Sequence, residues 1–234
     1  MVMRTSVGIS TSLFAVAALA LCFGNSAQAQ SNASPTAGNG TYIASDPLSG
    51  VRYDNRYDLS LGMAYHHMKA GANVLQGANL GGLDLSGSYW FARHWAVEGS
   101  GRWYLGTSGV GNTSSVPLHG PFVSEVFFTA GPEWLGPHNK HGALIAHALF
   151  GGAKFDAHLA GYTPQQVNFY YNQVAPAAII GGHMDLNRSA HWVFRITPDA
   201  ILTRYSTNYA PVITQNDVNF AISVGIEYKF NKKR

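Results

Sequence analysis

Along most of the chain, apolar and polar side chains alternate with a period of two, the signature of strands with two different faces. The alternation is cleanest near the C-terminus. Val218, Phe220, Ile222, Val224, Ile226, Tyr228 and Phe230 share one face, and Asn219, Ala221, Ser223, Gly225, Glu227 and Lys229 share the other. Near residue 57 the pattern recurs, with Tyr57, Leu59, Leu61, Met63 and Tyr65 set against Asp58, Ser60, Gly62, Ala64 and His66. Further segments lie at about 80–92, 95–106, 122–135, 142–155, 174–186 and 192–205, so the pattern predicts eight strands. From Ala143 to Phe155 both faces are apolar, and the phase of that strand stays open.

The connections decide the architecture. Segments 92–94, 136–141 and 187–191 are short, whereas 67–79, 107–121, 156–173 and 206–216 are long and carry Gly, Asn, Ser, Thr and Pro. Strict alternation of short and long connections predicts an all-β fold: an eight-stranded antiparallel up-and-down transmembrane barrel. Its short turns would face the periplasm and its long loops the outside. A soluble eight-stranded barrel is the rival fold, with apolar side chains inside and a charged outer surface. The polar faces here hold Gly, Ser, Ala, Thr and a few ions, which suits a crowded narrow interior better than a solvated surface. Trp90, Phe91, Trp95, Trp134, Trp192 and Phe194 flank the short turns, and Tyr228 and Phe230 close the last strand at the same end. Such clustering predicts an aromatic girdle at one membrane–water interface.

Composition agrees. Charged residues make up 12% of the 234 residues, about half the usual share for a soluble domain. The formal net charge is +3, and the one basic cluster is Lys232, Lys233 and Arg234, so no nucleic-acid partner is expected. Arg4 followed by the apolar run Leu13–Phe23 and by Ala27-Gln28-Ala29 reads as a signal peptide over residues 1–29, with the mature chain starting at Gln30. Acylation at Cys22 is not expected, because the bulky Leu21 precedes it. Residues 30–55 read as a flexible leader, 56–230 as the barrel and 231–234 as a basic tail.

At this level the chain resembles the small outer-membrane β-barrel proteins of the OmpA/OmpX type over roughly residues 56–230. Phe128-Thr129-Ala130-Gly131-Pro132 and Ala146-His147-Ala148-Leu149-Phe150-Gly151-Gly152-Ala153 carry part of that likeness. Ser223, Gly225, Tyr228 and Phe230 resemble the terminal signal read by the outer-membrane assembly machinery. The resemblance implies a monomer in the outer membrane of a Gram-negative bacterium, in contact with its lipid. It does not extend to a periplasmic peptidoglycan-binding domain, and the tail after Phe230 departs from members that end on the final aromatic.

Candidate chemistry is sparse. The ten histidines are scattered in sequence, and His66 and His67 must point to opposite faces, so no metal or other cofactor is expected. His147, Ser124, Glu125 and Asp156 are the residues from which a lipid-modifying site would have to be built, and no motif joins them. The polar faces place Asp58, Asp84, Glu98, Arg102, Glu125, Glu133, Asp185, Arg195, Asp199, Glu227 and Lys229 inside. Buried ions must pair or stay hydrated, so Arg102, Arg195 and Lys229 are expected to bind the acids and plug the bore. A narrow channel and a lipid A- or phospholipid-modifying enzyme remain as alternatives to a structural or surface-interaction role. Pro164, Gln165, Gln166, Asn168, Tyr170, Tyr171 and Asn172 form a loop tip that suits contacts with glycans, surfaces or proteins.

Overall fold

The computed structural model describes residues 46–71, 77–108, 120–208 and 211–230. The signal cleavage site at Ala27, Ala29 and Gln30, the leader as far as residue 45, most of loop 107–121 and the basic tail lie outside the described residues.

Eight antiparallel strands close on themselves: β1 (Tyr57–Met68), β2 (Ala78–Trp90), β3 (Trp95–Ser108), β4 (Phe122–His138), β5 (Gly142–His158), β6 (Gln173–Asn187), β7 (Trp192–Ser206) and β8 (Thr214–Lys229). Each pairs with the next in sequence, and β8 pairs with β1 from Asp58↔Lys229 to His67↔Phe220. Closure leaves no strand edge unpaired, which a barrel in lipid requires. β8 begins at Thr214, earlier than its clean alternation, and β4 runs on to His138 through a register shift between Leu135 and His138.

Facing follows the alternation. The outward face carries a continuous apolar belt that includes Leu61, Met63, Leu83, Phe128, Phe150, Ile180, Phe220, Val224 and Ile226, all exposed. Tyr57, Tyr89, Phe91, Trp95, Trp134, Trp192 and Phe230 are exposed near the short turns and form the girdle. Trp90 is not part of it. It falls on the inward phase of β2, is buried, and donates its indole N–H to Asp58 Oδ2 at 2.5 Å. The open phase of β5 is settled: Ile145, His147, Leu149, Ala153 and Phe155 point inward, and Leu144 and Phe150 point outward.

The seam between β8 and β1 has a steric condition. Gly225 lies opposite Gly62, and a Cβ on Gly225 would sit 2.2 Å from the Leu61 carbonyl oxygen and 2.5 Å from Gly62 Cα. Closing the barrel therefore needs glycine at 225.

Candidate functional site: the charged interior

The interior is layered. At its periplasmic end Arg195 forms a bidentate pair with Asp185, at 2.8 and 2.9 Å, and reaches Glu227 at 3.0 Å. Residues 46–55, read from sequence as the end of the leader, fold over this end. The Tyr53 hydroxyl donates to the Asn139 carbonyl and accepts from Asn187 Nδ2 at 2.7 Å. Burial raises the Tyr53 hydroxyl pKa, opposed by the Asn187 hydrogen bond. Lys229 does not ion-pair with an acid in the described interior. Its ammonium donates to Asn187 Oδ1 at 3.3 Å and sits 4.4 Å from the centre of the Tyr53 ring. A cation–π contact and a side-chain amide oxygen replace the ionic partner expected for it. Outside the barrel, Asp46 accepts the Leu48 N–H and the Lys140 ammonium, which hold its carboxyl below the ordinary range.

The middle layer is a network across six strands. Arg102 on β3 contacts Asp199 on β7 at 2.6 Å and Asp84 on β2 at 3.4 Å. Asp84 also accepts from Ser223 on β8 at 2.8 Å. His147 on β5 lies between two acids, with Nε2 2.9 Å from Asp199 Oδ1 and Nδ1 2.7 Å from Glu98 Oε2. His183 on β6 brings Nε2 to 3.2 Å from that same Glu98 oxygen, and its Nδ1 lies 2.9 Å from Thr197 Oγ1. Glu133 is fully buried beside this layer.

Above it the interior becomes apolar and aromatic. Tyr104, Phe127, Leu149, Ile179 and Ile201 are fully buried there. His66 Nε2 meets Glu125 Oε2 at 3.0 Å, and the Tyr205 hydroxyl donates to Glu125 Oε1 at 2.5 Å. At the extracellular end, the loop expected to present a solvated tip turns inward. Thr163 caps a one-turn helix, α1 (Pro164–Val167), in a reciprocal capping box with Gln166. This turn carries Phe169 and Tyr170 into the barrel mouth, where both are fully buried. Tyr170 donates its N–H to the Ala70 carbonyl and its hydroxyl to Asp217 Oδ2 at 2.6 Å, and its ring packs beside Phe155 and Tyr205. Gln165, Gln166, Asn168 and Asn172 remain exposed. Burying the aromatic rings gains more than leaving them in water, so the tip divides into an anchor and a polar rim.

Every charged residue assigned inward from sequence is buried. Asp217, His66, His147 and His183 join them; His66 meets Glu125, His147 and His183 meet Glu98, and His147 shares Asp199 with Arg102. Inward phase marked His66 in the sequence. The phase ambiguity of β5 hid His147, and no local spacing links it to His183. The four residues considered for lipid chemistry do not converge: Ser124 lies on the outward phase of β4, Asp156 pairs with Lys154 at 2.7 Å, and Glu125 and His147 serve separate interior clusters. Ser223 is buried, whereas Tyr228 stacks on His191 near the periplasmic rim, and the Phe230 N–H donates to the Tyr57 carbonyl across the seam.

No protein-family profile matches the chain, and no curated protein does. Among solved structures the fold is similar to the outer membrane protein OprG from Pseudomonas aeruginosa, with 12% identity, 78% of this chain and 99% of that chain covered, and a TM-score of 0.57. Neisserial surface protein A matches at 11% identity over 74% of this chain and 97% of its own, with a TM-score of 0.49. Ail, the attachment invasion locus protein of Yersinia pestis, matches at 20% identity over 76% and 99%, with a TM-score of 0.42. The chain thus has the fold of the small eight-stranded outer-membrane barrels, and the apolar belt and aromatic girdle around it place it in the outer membrane of a Gram-negative bacterium.

Proposed function

We infer that the chain is a non-enzymatic, monomeric outer-membrane barrel whose bore is closed by side chains and whose extracellular loops make its contacts. The observation that carries this reading is the filling of the interior from end to end. Tyr53 covers the periplasmic mouth, Arg195 and Arg102 hold paired acids in the layers above, and Phe155, Tyr170 and Tyr205 close the extracellular end. Among the described residues, the cavity beside Asp58, Trp90 and Glu227 measures about 10 Å³, room for about one water.

A surface role is supported by the loop between β5 and β6. Its polar rim of Gln165, Gln166, Asn168 and Asn172 stands on a buried aromatic anchor, so these amides are presented with little ordering cost to a glycan or protein. Ser223, Gly225, Tyr228 and Phe230 serve as the signal to the assembly machinery, with Gly225 also meeting the steric demand of the seam.

The test is planar-bilayer recording on the purified mature protein, with phospholipid hydrolysis followed on the same preparation. No steady ionic conductance and no hydrolysis above an empty-bilayer control are expected. Reproducible conductance would replace this reading with the narrow channel. Hydrolysis abolished by His147→Ala would replace it with the enzyme.

A further inference from the structure

Two imidazole nitrogens, of His147 and His183, and a carboxylate oxygen of Glu98 converge inside the barrel. In the tautomer in which His147 Nε2–H donates to Asp199, Nδ1 presents its lone pair toward Glu98 and His183. Thr197 Oγ1 accepts from His183 Nδ1 in the matching assignment, which leaves His183 Nε2 with its lone pair. Those two lone pairs and Glu98 Oε2 lie 2.7, 3.2 and 3.2 Å apart. All three residues are buried, so water cannot screen the repulsion. One cation between the three atoms would hold the group together; so would one extra proton on His147 with His183 donating from Nε2 and accepting the Thr197 hydroxyl at Nδ1.

We propose that Glu98, His147 and His183 form a binding site for a zinc-class divalent cation inside the barrel. Bonds of about 2.0–2.2 Å to nitrogen and oxygen in a tetrahedron put neighbouring donor atoms a little over 3 Å apart; the two 3.2 Å separations match this, and the 2.7 Å between Glu98 and His147 would have to open by about half an ångström. Two imidazoles and a carboxylate suit zinc and its neighbours over calcium or magnesium, and they leave one position for water. Each histidine is also held from behind, by Asp199 and by Thr197, as metal-bound imidazoles are. The strand between β5 and β7 is shaped to allow it. His147 lies opposite Gly181 of β6, and a Cβ there would sit 1.9 Å from Asp199 Oδ1, blocking its reach to His147.

Charge argues the same way. Among the described residues, nine buried carboxylates face three buried permanent cations, Arg102, Arg195 and Lys229. A dication beside Glu98 reduces that excess. The sequence, in which these donors are 49 and 36 residues apart, gave no expectation of a metal.

The test refolds the mature protein into phospholipid vesicles with Zn²⁺ present, removes loosely held ion with a weak chelator, and measures bound zinc and the urea midpoint. Close to one equivalent of zinc and a midpoint raised over the zinc-free preparation are expected. His183→Gln and Glu98→Gln should each weaken zinc retention at least tenfold. Thr197→Val should weaken it less, and His66→Gln, which removes a buried histidine elsewhere, should leave it unchanged. If the wild type keeps no zinc above the His183→Gln level, the donors are held by protons and the proposal fails. It fails equally if His66→Gln loses zinc as fully as His183→Gln. Should His183→Gln not fold, Thr197→Val against His66→Gln decides the matter.

Discussion

Replacing Arg102 by Met removes the cation that joins two sides of the barrel while keeping an unbranched side chain of similar length. Arg102 contacts Asp199 at 2.6 Å and Asp84 at 3.4 Å, and its Nε donates to Ser100 Oγ at 3.3 Å. Breaking a buried pair by removing one partner costs about 3–5 kcal/mol. Both acids keep one partner, Ser223 for Asp84 and His147 for Asp199, so neither is wholly orphaned. Each loses part of its compensation, at about 1–3 kcal/mol for an unsatisfied buried group. The expected loss is about 2–4 kcal/mol. Urea unfolding in phospholipid vesicles, followed by tryptophan fluorescence and by gel mobility with and without boiling, measures it. Arg204→Met, at an exposed position of the adjacent pairing face, should stay within about 0.5 kcal/mol of wild type. Adding Asp199→Asn to Arg102→Met should recover part of the loss, because the second change removes the charge the first left unpaired. An Arg102→Met barrel as stable as the Arg204→Met control would mean that water already solvates the interior acids, and the filled-bore argument would collapse.

Val224 faces outward between Met63 and Ile196, so Val224→Arg should cost about 2–4 kcal/mol in a refolding titration if lipid surrounds it; tolerance of both Val224→Arg and Leu61→Arg would mean that this face meets water. Gly225→Ala should destabilise the seam by about 1–3 kcal/mol, as overpacking does, seen as a lower urea midpoint; an unchanged midpoint would show that β1 and β8 can separate without loss. Phe230→Ala should reduce the yield of folded protein in outer-membrane fractions well below that of Phe91→Ala, which removes a more exposed aromatic from a turn; equal yields would mean that Phe230 is one girdle residue among several.

Much of the fold was legible because a strand in a membrane barrel repeats one local rule, lipid on one side and a crowded interior on the other. Leu59, Leu61 and Met63 against Asp58 and Ser60 state that rule within six residues, and the alternating loop lengths supply the topology without any knowledge of contacts. The rule failed where the interior is itself apolar. β5 points Ile145, Leu149 and Phe155 inward, so both of its faces read alike and its phase waited on the pairing with β4 and β6. It also misled at Trp90, whose position near a turn suggested the girdle while its phase put it on Asp58.

Alternation tells which side chains enter the bore, but partners there are chosen by the stagger of the closed sheet. Glu98, His147, His183 and Asp199 come from four strands and meet because the register sets them at one height. Tyr170 depends likewise on a loop folding back over strands distant in sequence. The sequence by itself determined the strands, their number, the facing of all but β5 and the membrane they suit, since each follows from neighbours along the chain. Only the tertiary structure decided which buried charges touch and where the bore is sealed, because those contacts cross the barrel and no local period encodes them.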